Sequence, residues 1–177
     1  MTRLLSRLLL LGGLLIGGRG ALAQAPDMDL DMSNAAMPLP GIITGGQPSR
    51  DDLKALADSG VKTVITLRTE NEWTGMDEDA ETSALGLRLI RIPVSGAEDL
   101  TPETARQLHA ALTEVEAHGQ VLLHCAAGNR AGGLLALRQF HFQDMSVDAA
   151  YDLGRKAGLS GLSRAVKKKL QQAEKKQ

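Results

Sequence analysis

The apolar positions of this chain fall into two alternating rhythms, short β-branched runs and stripes spaced three and four residues apart. Residues 41–44 (Gly-Ile-Ile-Thr) predict a short strand before the turn Gly45-Gly46-Gln47-Pro48. Ser49 reads as an N-cap with Asp52 in the capping-box position, Leu53, Leu56 and Ala57 share one face, and Gly60 stops that helix. Residues 61–67 (Val-Lys-Thr-Val-Ile-Thr-Leu) predict a buried strand ending at Arg68. The acidic stretch 69–80, with Trp73 as its one large apolar residue, predicts a surface loop passing into a short helix near 78–85. Residues 87–94 predict the next strand, and Pro93 marks an edge or a termination. Beyond a loop at 95–100, Thr101 caps and Pro102 opens a helix with the stripe Ala105, Leu108, Ala111, Leu112 and Val115. The run Val121-Leu122-Leu123-His124 is of strand length, and residues 131–142 are apolar nearly all round, as in a helix buried against a sheet. Two further helices are marked by Val147, Ala150 and Tyr151, and by Leu162, Ala165, Val166, Leu170 and Ala173. Alternation of strands and helices predicts an α/β fold, a mainly parallel central sheet with helices on both faces. Ligands then bind beyond the carboxyl ends of its strands.

The two ends of the chain qualify this picture. Arg3 and Arg7, an apolar run over 8–16 and Ala21-Leu22-Ala23 have the pattern of a secretory signal peptide cleaved after Ala23. That run is too short to span a bilayer, and no cysteine stands at the cleavage point to take a lipid. The expectation is therefore a periplasmic or secreted protein with no transmembrane segment after cleavage. Residues 24–40, with three prolines and no period, read as a linker or poorly ordered arm, and 41–177 as a single domain with a basic C-terminal helix. Loss of Arg3, Arg7 and Arg19 leaves 17 basic residues against 21 acidic, a net charge of −4, which argues against a nucleic-acid partner. Lys167, Lys168, Lys169, Lys175 and Lys176 read as the solvated face and frayed end of the last helix. Cys125 is the only cysteine, so an internal disulfide and a Cys-x-x-Cys zinc site are both excluded. His109 and His118 have no spacing to other candidate ligands.

Candidate chemistry concentrates in residues 121–133. An apolar strand ends in His124-Cys125, the small residues Ala126, Ala127 and Gly128 follow with Asn129, and Arg130 opens a helix. Backbone N–H groups of such a loop converge on one point, and the free donors of the helix's first turn add positive partial charge. Cys125 beside Arg130 thus has the surroundings of a reactive cysteine rather than a packed one.

His-Cys-x-x-Gly-x-Arg at a strand-to-helix turn resembles the phosphate loop of the cysteine-dependent phosphatases of the protein tyrosine and dual-specificity types. Gly45-Gly46-Gln47-Pro48-Ser49, Val64-Ile65-Thr66-Leu67-Arg68, Ile92-Pro93-Val94 and His124-Cys125-Ala126-Ala127-Gly128-Asn129-Arg130, in that order, are similar to DUF442, the phosphatase-like domain of beta-lactamase-hydrolase-like proteins. The resemblance covers about residues 41–160. It implies a dual-specificity-phosphatase-like fold and a phosphorylated protein or small molecule as substrate. Cys125 would be the nucleophile, Arg130 would grip two phosphoryl oxygens, and the N–H groups of Ala126, Ala127, Gly128, Asn129 and Arg130 would hold the anion. His124 would place and acidify the cysteine. No metal or organic cofactor is implied. The family's general acid is an aspartate just after a strand like Ile92-Pro93-Val94, where Gly96 stands here. Asp99, with Glu98 beside it, is the candidate for that role. Two departures bear on function. Four residues separate Cys125 from Arg130 where the usual phosphatase loop has five, a shorter spacing shared with sulfur-transferring rhodaneses. Ala131 replaces the hydroxyl residue that assists phosphoenzyme breakdown. Phosphate monoester hydrolysis through a Cys125 thiophosphate is the leading expectation. Rhodanese-like sulfur transfer and weakly catalytic phospho-ligand binding are the alternatives.

Overall fold

The computed structural model describes residues 29–72, 75–115 and 117–176. The expected signal peptide, the first residues of the expected linker and Trp73 lie outside the described residues. The elements run β1 (Ala36–Leu39), β2 (Ile42–Gly45), α1 (Arg50–Asp58), β3 (Val61–Thr66), α2 (Glu78–Ala84), β4 (Arg88–Arg91), α3 (Pro102–Val115), β5 (Gln120–His124), α4 (Asn129–Phe142), α5 (Val147–Lys156) and α6 (Ser163–Glu174). The five strands form one sheet in the order β1-β2-β5-β3-β4. All neighbouring pairs are parallel except the β1–β2 hairpin.

The hairpin corrects the reading of residues 24–40 as a linker throughout. Residues 36–39 pair with β2 in register Ala36↔Thr44 and Leu39↔Ile42, turning through Gly41 at φ 75°. Pro38 has no N–H to give to a ladder, but β1 lies at the sheet's edge, where one side needs no partner. Met32, just before it, is buried beside Ile43, Leu53 and Leu56.

Alternation along the strands divides the interior into two layers. Ile65, Val121 and Leu123 face α3, α4, α5 and α6, whereas Val61, Val64 and Leu122 face α1 and the α2–β4 corner. At roughly 25 cal/mol per Å² of apolar surface removed from water, both faces must be covered for such strands to be stable. The helix starts follow the sequence signals. Ser49 and Asp52 form a reciprocal capping box, with Ser49 N–H to Asp52 Oδ2 at 2.8 Å and Asp52 N–H to Ser49 Oγ at 3.1 Å. Thr101 Oγ1 accepts the Thr104 N–H at 3.2 Å. Among the described residues no helix is long and apolar enough to cross a membrane.

Candidate active site

β5 is the central strand, and its carboxyl end delivers His124 and Cys125 between the ends of β2 and β3. Cys125 is 1% exposed, and its N–H donates to Gly45 O at 3.3 Å. The chain then turns through Ala126, Ala127 and Gly128, whose φ of 80° lies in the left-handed region that glycine tolerates, and enters α4. Gly128 is the N-cap and brings no side-chain bond, so the first N–H groups of α4 are left open for an anion.

Bonds from outside hold the loop's carbonyls. Ala126 O accepts the Gln47 N–H at 3.2 Å and Ala127 O accepts Asn34 Nδ2 at 2.9 Å. In a planar trans peptide the C=O of one residue and the N–H of the next point in opposite directions, so the Ala127 N–H faces away from Gln47. Close approach explains the Gly-Gln motif. A Cβ at Gly46 would stand 2.9 Å from Ser33 Oγ and 3.0 Å from Ala126 O, so a larger residue would push the loop away from β2. The Asn129 side chain turns outward, its Oδ1 accepting the N–H groups of Ser160 and Leu162 at 2.9 and 3.2 Å. Asn129 is thus available to an anion through its backbone alone.

Arg130 is buried, and its guanidinium is fixed at three points. Nη1 and Nη2 donate to Glu72 Oε1 and Oε2, both at 2.7 Å, and Nη1 also reaches Val94 O at 2.5 Å and Leu67 O at 3.5 Å, beyond the ends of β4 and β3. This planar pairing leaves Nε out of the contact with Glu72. The bond from Arg130 is the main cause that holds the Glu72 carboxyl at about 2, against burial. Arg130 in turn is raised above its ordinary value, chiefly by Glu72, with the Cys125 sulfur contributing as a nearby charge and hydrogen-bond partner. Arg68 Nε stands 3.7 Å from Glu72 Oε2.

His124 is fully buried. Its Nε2 lies 3.0 Å from Glu78 Oε1, out of line for a formed hydrogen bond, and its Nδ1 has no partner among the described residues. Glu78 Oε1 also accepts Gln47 Nε2 at 3.1 Å. Burial pushes the Glu78 carboxyl up, but His124 and Gln47 outweigh it and hold the group below its ordinary value. One segment, residues 69–79, therefore supplies a carboxylate to each basic side chain of the motif. It also walls an adjoining cavity of about 400 Å³ with Arg68 and Arg91.

Asp99 is engaged elsewhere. Its Oδ2 accepts the Ser95 N–H at 2.8 Å and the Ser95 hydroxyl, and Thr104 Oγ1 donates to its carbonyl at 2.6 Å. The Ser95 bonds hold its carboxyl below the ordinary aspartate value, the opposite of what a proton donor needs. Glu98 is exposed, its carboxylate folded over Gly96. Ala131 is fully buried and presents no hydroxyl. Glu72, Glu78 and Asn34 were not marked by the sequence. The first two stand among many acids in a polar stretch, and the third lies in what reads as linker.

The profile of the family described as DSP-PTPase phosphatase fused to NAD+ kinase matches residues 31–174. Beta-lactamase hydrolase-like proteins from two strains of Xylella fastidiosa, Temecula1 and 9a5c, are each 34% identical over 125 residues. The match takes in 68% of this chain but 28% of theirs, so the chain spans little more than a quarter of these relatives' length. Among solved structures, Pseudomonas aeruginosa TpbA superposes with a TM-score of 0.66 at 21% identity, over 84% of this chain and 88% of that one. A DUF442 protein from Shewanella putrefaciens CN-32 gives 0.63 at 20% identity, over 81% and 94%. TpbA in complex with pTyr gives 0.63 at 20%, over 77% and 82%. At such identities the structures establish the fold, which is that of the dual-specificity phosphatases. By the match over residues 31–174, and with its beta-lactamase-hydrolase-like relatives, the chain belongs to the family described as DSP-PTPase phosphatase fused to NAD+ kinase.

Proposed function

We propose that this protein is an exported cysteine-dependent hydrolase of phosphate monoesters. The observation that carries the reading is the convergence of Cys125, the uncapped amino end of α4 and the Arg130 guanidinium at the carboxyl end of the central strand. The Cys125 thiolate attacks phosphorus, and an S–P bond forms as the P–O bond to the leaving group breaks. Water then attacks the thiophosphate, releasing inorganic phosphate and restoring the thiolate. The loop amides and Arg130 meet the charge that gathers on the phosphoryl oxygens. The two Ser95 bonds support a bracing role for Asp99, with the leaving oxygen protonated by water, and such a site favours aryl esters with acidic leaving groups. Export rests on the leader pattern of residues 1–23.

The test is phosphate release from p-nitrophenyl phosphate. Cys125→Ser is expected to abolish turnover while retaining affinity for inorganic phosphate, because the loop and Arg130 remain. Activity above a few per cent in that variant would reassign the nucleophile. Thiocyanate formed from thiosulfate and cyanide, with no phosphate release, would move the assignment to sulfur transfer, the alternative that the four-residue Cys125–Arg130 spacing raises.

A further inference from the structure

We propose that the corner between α5 and α6 is a second anion-recognition surface, in which Arg164 and Lys168, with Arg155 beside them, read an acidic stretch flanking the phosphorylated residue of a protein substrate. The inference rests on the phosphatase reading above and adds a substrate class to it.

The corner is attached to the phosphate loop. Asn129 Oδ1 binds the N–H groups of Ser160 and Leu162, and a Cβ at Gly161 would stand 3.3 Å from Asn129 Nδ2. From there α6 departs, and Arg164 and Lys168, four residues apart, share one exposed face. With Ser160, Gly161 and Ser163 they line an open depression of about 560 Å³. Arg155 reaches it through a 3.5 Å bond from Nη1 to Ser163 Oγ.

The charges of this corner are uncommitted, a state they share among the described residues with Lys62, Lys156, Lys169, Lys175 and Lys176, whereas Arg68, Arg91 and Arg130 around the phosphate loop and its acidic neighbour are paired. Arg50, Lys54, Arg68, Arg88, Arg91, Arg106 and Arg130 each pair with a carboxylate. Arg155, Arg164 and Lys168 make no ion pair with a carboxylate among the described residues. The loop's other neighbour has the contrary sign. Residues 69–79, which hold Arg130 and His124, bring Glu70, Glu72, Asp77, Glu78 and Asp79 to their cavity against Arg68 and Arg91. An acidic chain extending from the bound phosphate is repelled along that segment and attracted along α6, so the asymmetry fixes the direction in which the substrate runs. The positions to test are those two to four residues from the phosphorylated one, where an extended chain at roughly 3.3–3.6 Å per residue has moved on the order of 7–14 Å from the phosphate.

The experiment compares two phosphotyrosine peptides, one with Asp and Glu at those flanking positions and one with Asn and Gln. Both kcat/KM on the full chain and binding to Cys125→Ser are measured. The acidic peptide is expected to be preferred about five- to tenfold at low salt, with the preference shrinking as salt is raised. Arg164→Ala with Lys168→Ala should bring the ratio to about one. Arg164→Glu with Lys168→Glu should invert it toward a lysine-flanked peptide, a result that a misfolded variant cannot give. Equal use of both peptides by the unaltered chain, or a preference that survives in the charge variants, overturns the inference while leaving the phosphatase reading intact. Neither turnover nor binding of any phosphopeptide sinks that reading and this inference together. Sedimentation with phosphatidylglycerol vesicles that depends on Arg164 and Lys168, without a peptide preference, would assign the surface to a membrane and overturn it as well.

Discussion

At the scale of single residues, the site is as much a set of restraints as a set of reactive groups. A bidentate carboxylate on Arg130 keeps a long, flexible side chain in one place, and its planar fork loses little further freedom when an anion arrives. Asp99 illustrates how restraint and chemistry compete for one group. A carboxylate that accepts two bonds from Ser95 stays ionised and stabilises the turn after Val94, whose carbonyl orients Arg130. Asp99→Asn is therefore expected to slow an alkyl phosphate and an aryl phosphate with an acidic leaving group by the same factor. A positioned general acid would be worth about 10²–10⁴-fold on the poor leaving group and much less on the good one. The ratio of the two losses, measured by steady-state kinetics, decides between bracing and proton transfer.

At the scale of elements, two contacts set the height and tilt of the phosphate loop. The first is the α4–α5 crossing, where a Cβ at Gly132 would stand 2.5 Å from Leu159 N and 2.6 Å from Gly154 O. Glycine within a helix ordinarily costs about 0.5–1 kcal/mol relative to alanine, so Gly132→Ala would be stabilising if there were room. With backbone on both sides, overpacking wins, and a loss of about 1–3 kcal/mol or more is expected, read as a lower urea midpoint with an unchanged slope. The second contact is the arm before β1. Asn34, at φ 55°, donates to Ala127 O from 93 residues away, and its Cβ would be 3.3 Å from a Cβ placed on Gly128. Asn34→Asp keeps the size and the tolerance of positive φ but sets an acceptor against an acceptor. It is expected to weaken phosphate binding by Cys125→Ser about tenfold, whereas Asn34→Gly, which keeps the backbone, should cost less. Isothermal titration with phosphate measures both, and equal affinities would show that the latch does not shape the loop.

For the whole molecule, legibility in the sequence followed the range of the interaction. Periodicity, caps and the His124-to-Arg130 spacing are local, so the elements, the parallel sheet and the loop could be read directly. Residues 36–39 could not, because Pro38 hides a strand that only pairing with β2 reveals. Nor could the partners of Arg130 and His124, because the chain offers many carboxylates between 69 and 81 and only the packing of that segment selects Glu72 and Glu78. This long-range selection has a measurable consequence for stability against acid. Glu72 is held at about 2 where its ordinary value is 4.5, so the folded state binds fewer protons than the unfolded one between those values. Its contribution is complete above about pH 4.5 and drains away as pH falls toward 2. The gap corresponds to roughly 3.5 kcal/mol at most, at about 1.4 kcal/mol per unit, and partial exposure of the pair reduces it. Glu72→Gln removes the charge and leaves a buried Arg130 without its counter-ion, so urea unfolding at pH 7 should show it to be less stable by about 1–3 kcal/mol. Lowering the pH protonates Glu72 in the unaltered chain and does nothing to glutamine, so the two stabilities should converge between pH 4.5 and 2. A difference that stays constant over that window would mean that the loss came from altered packing in the 69–79 segment and not from the Arg130–Glu72 charge pair.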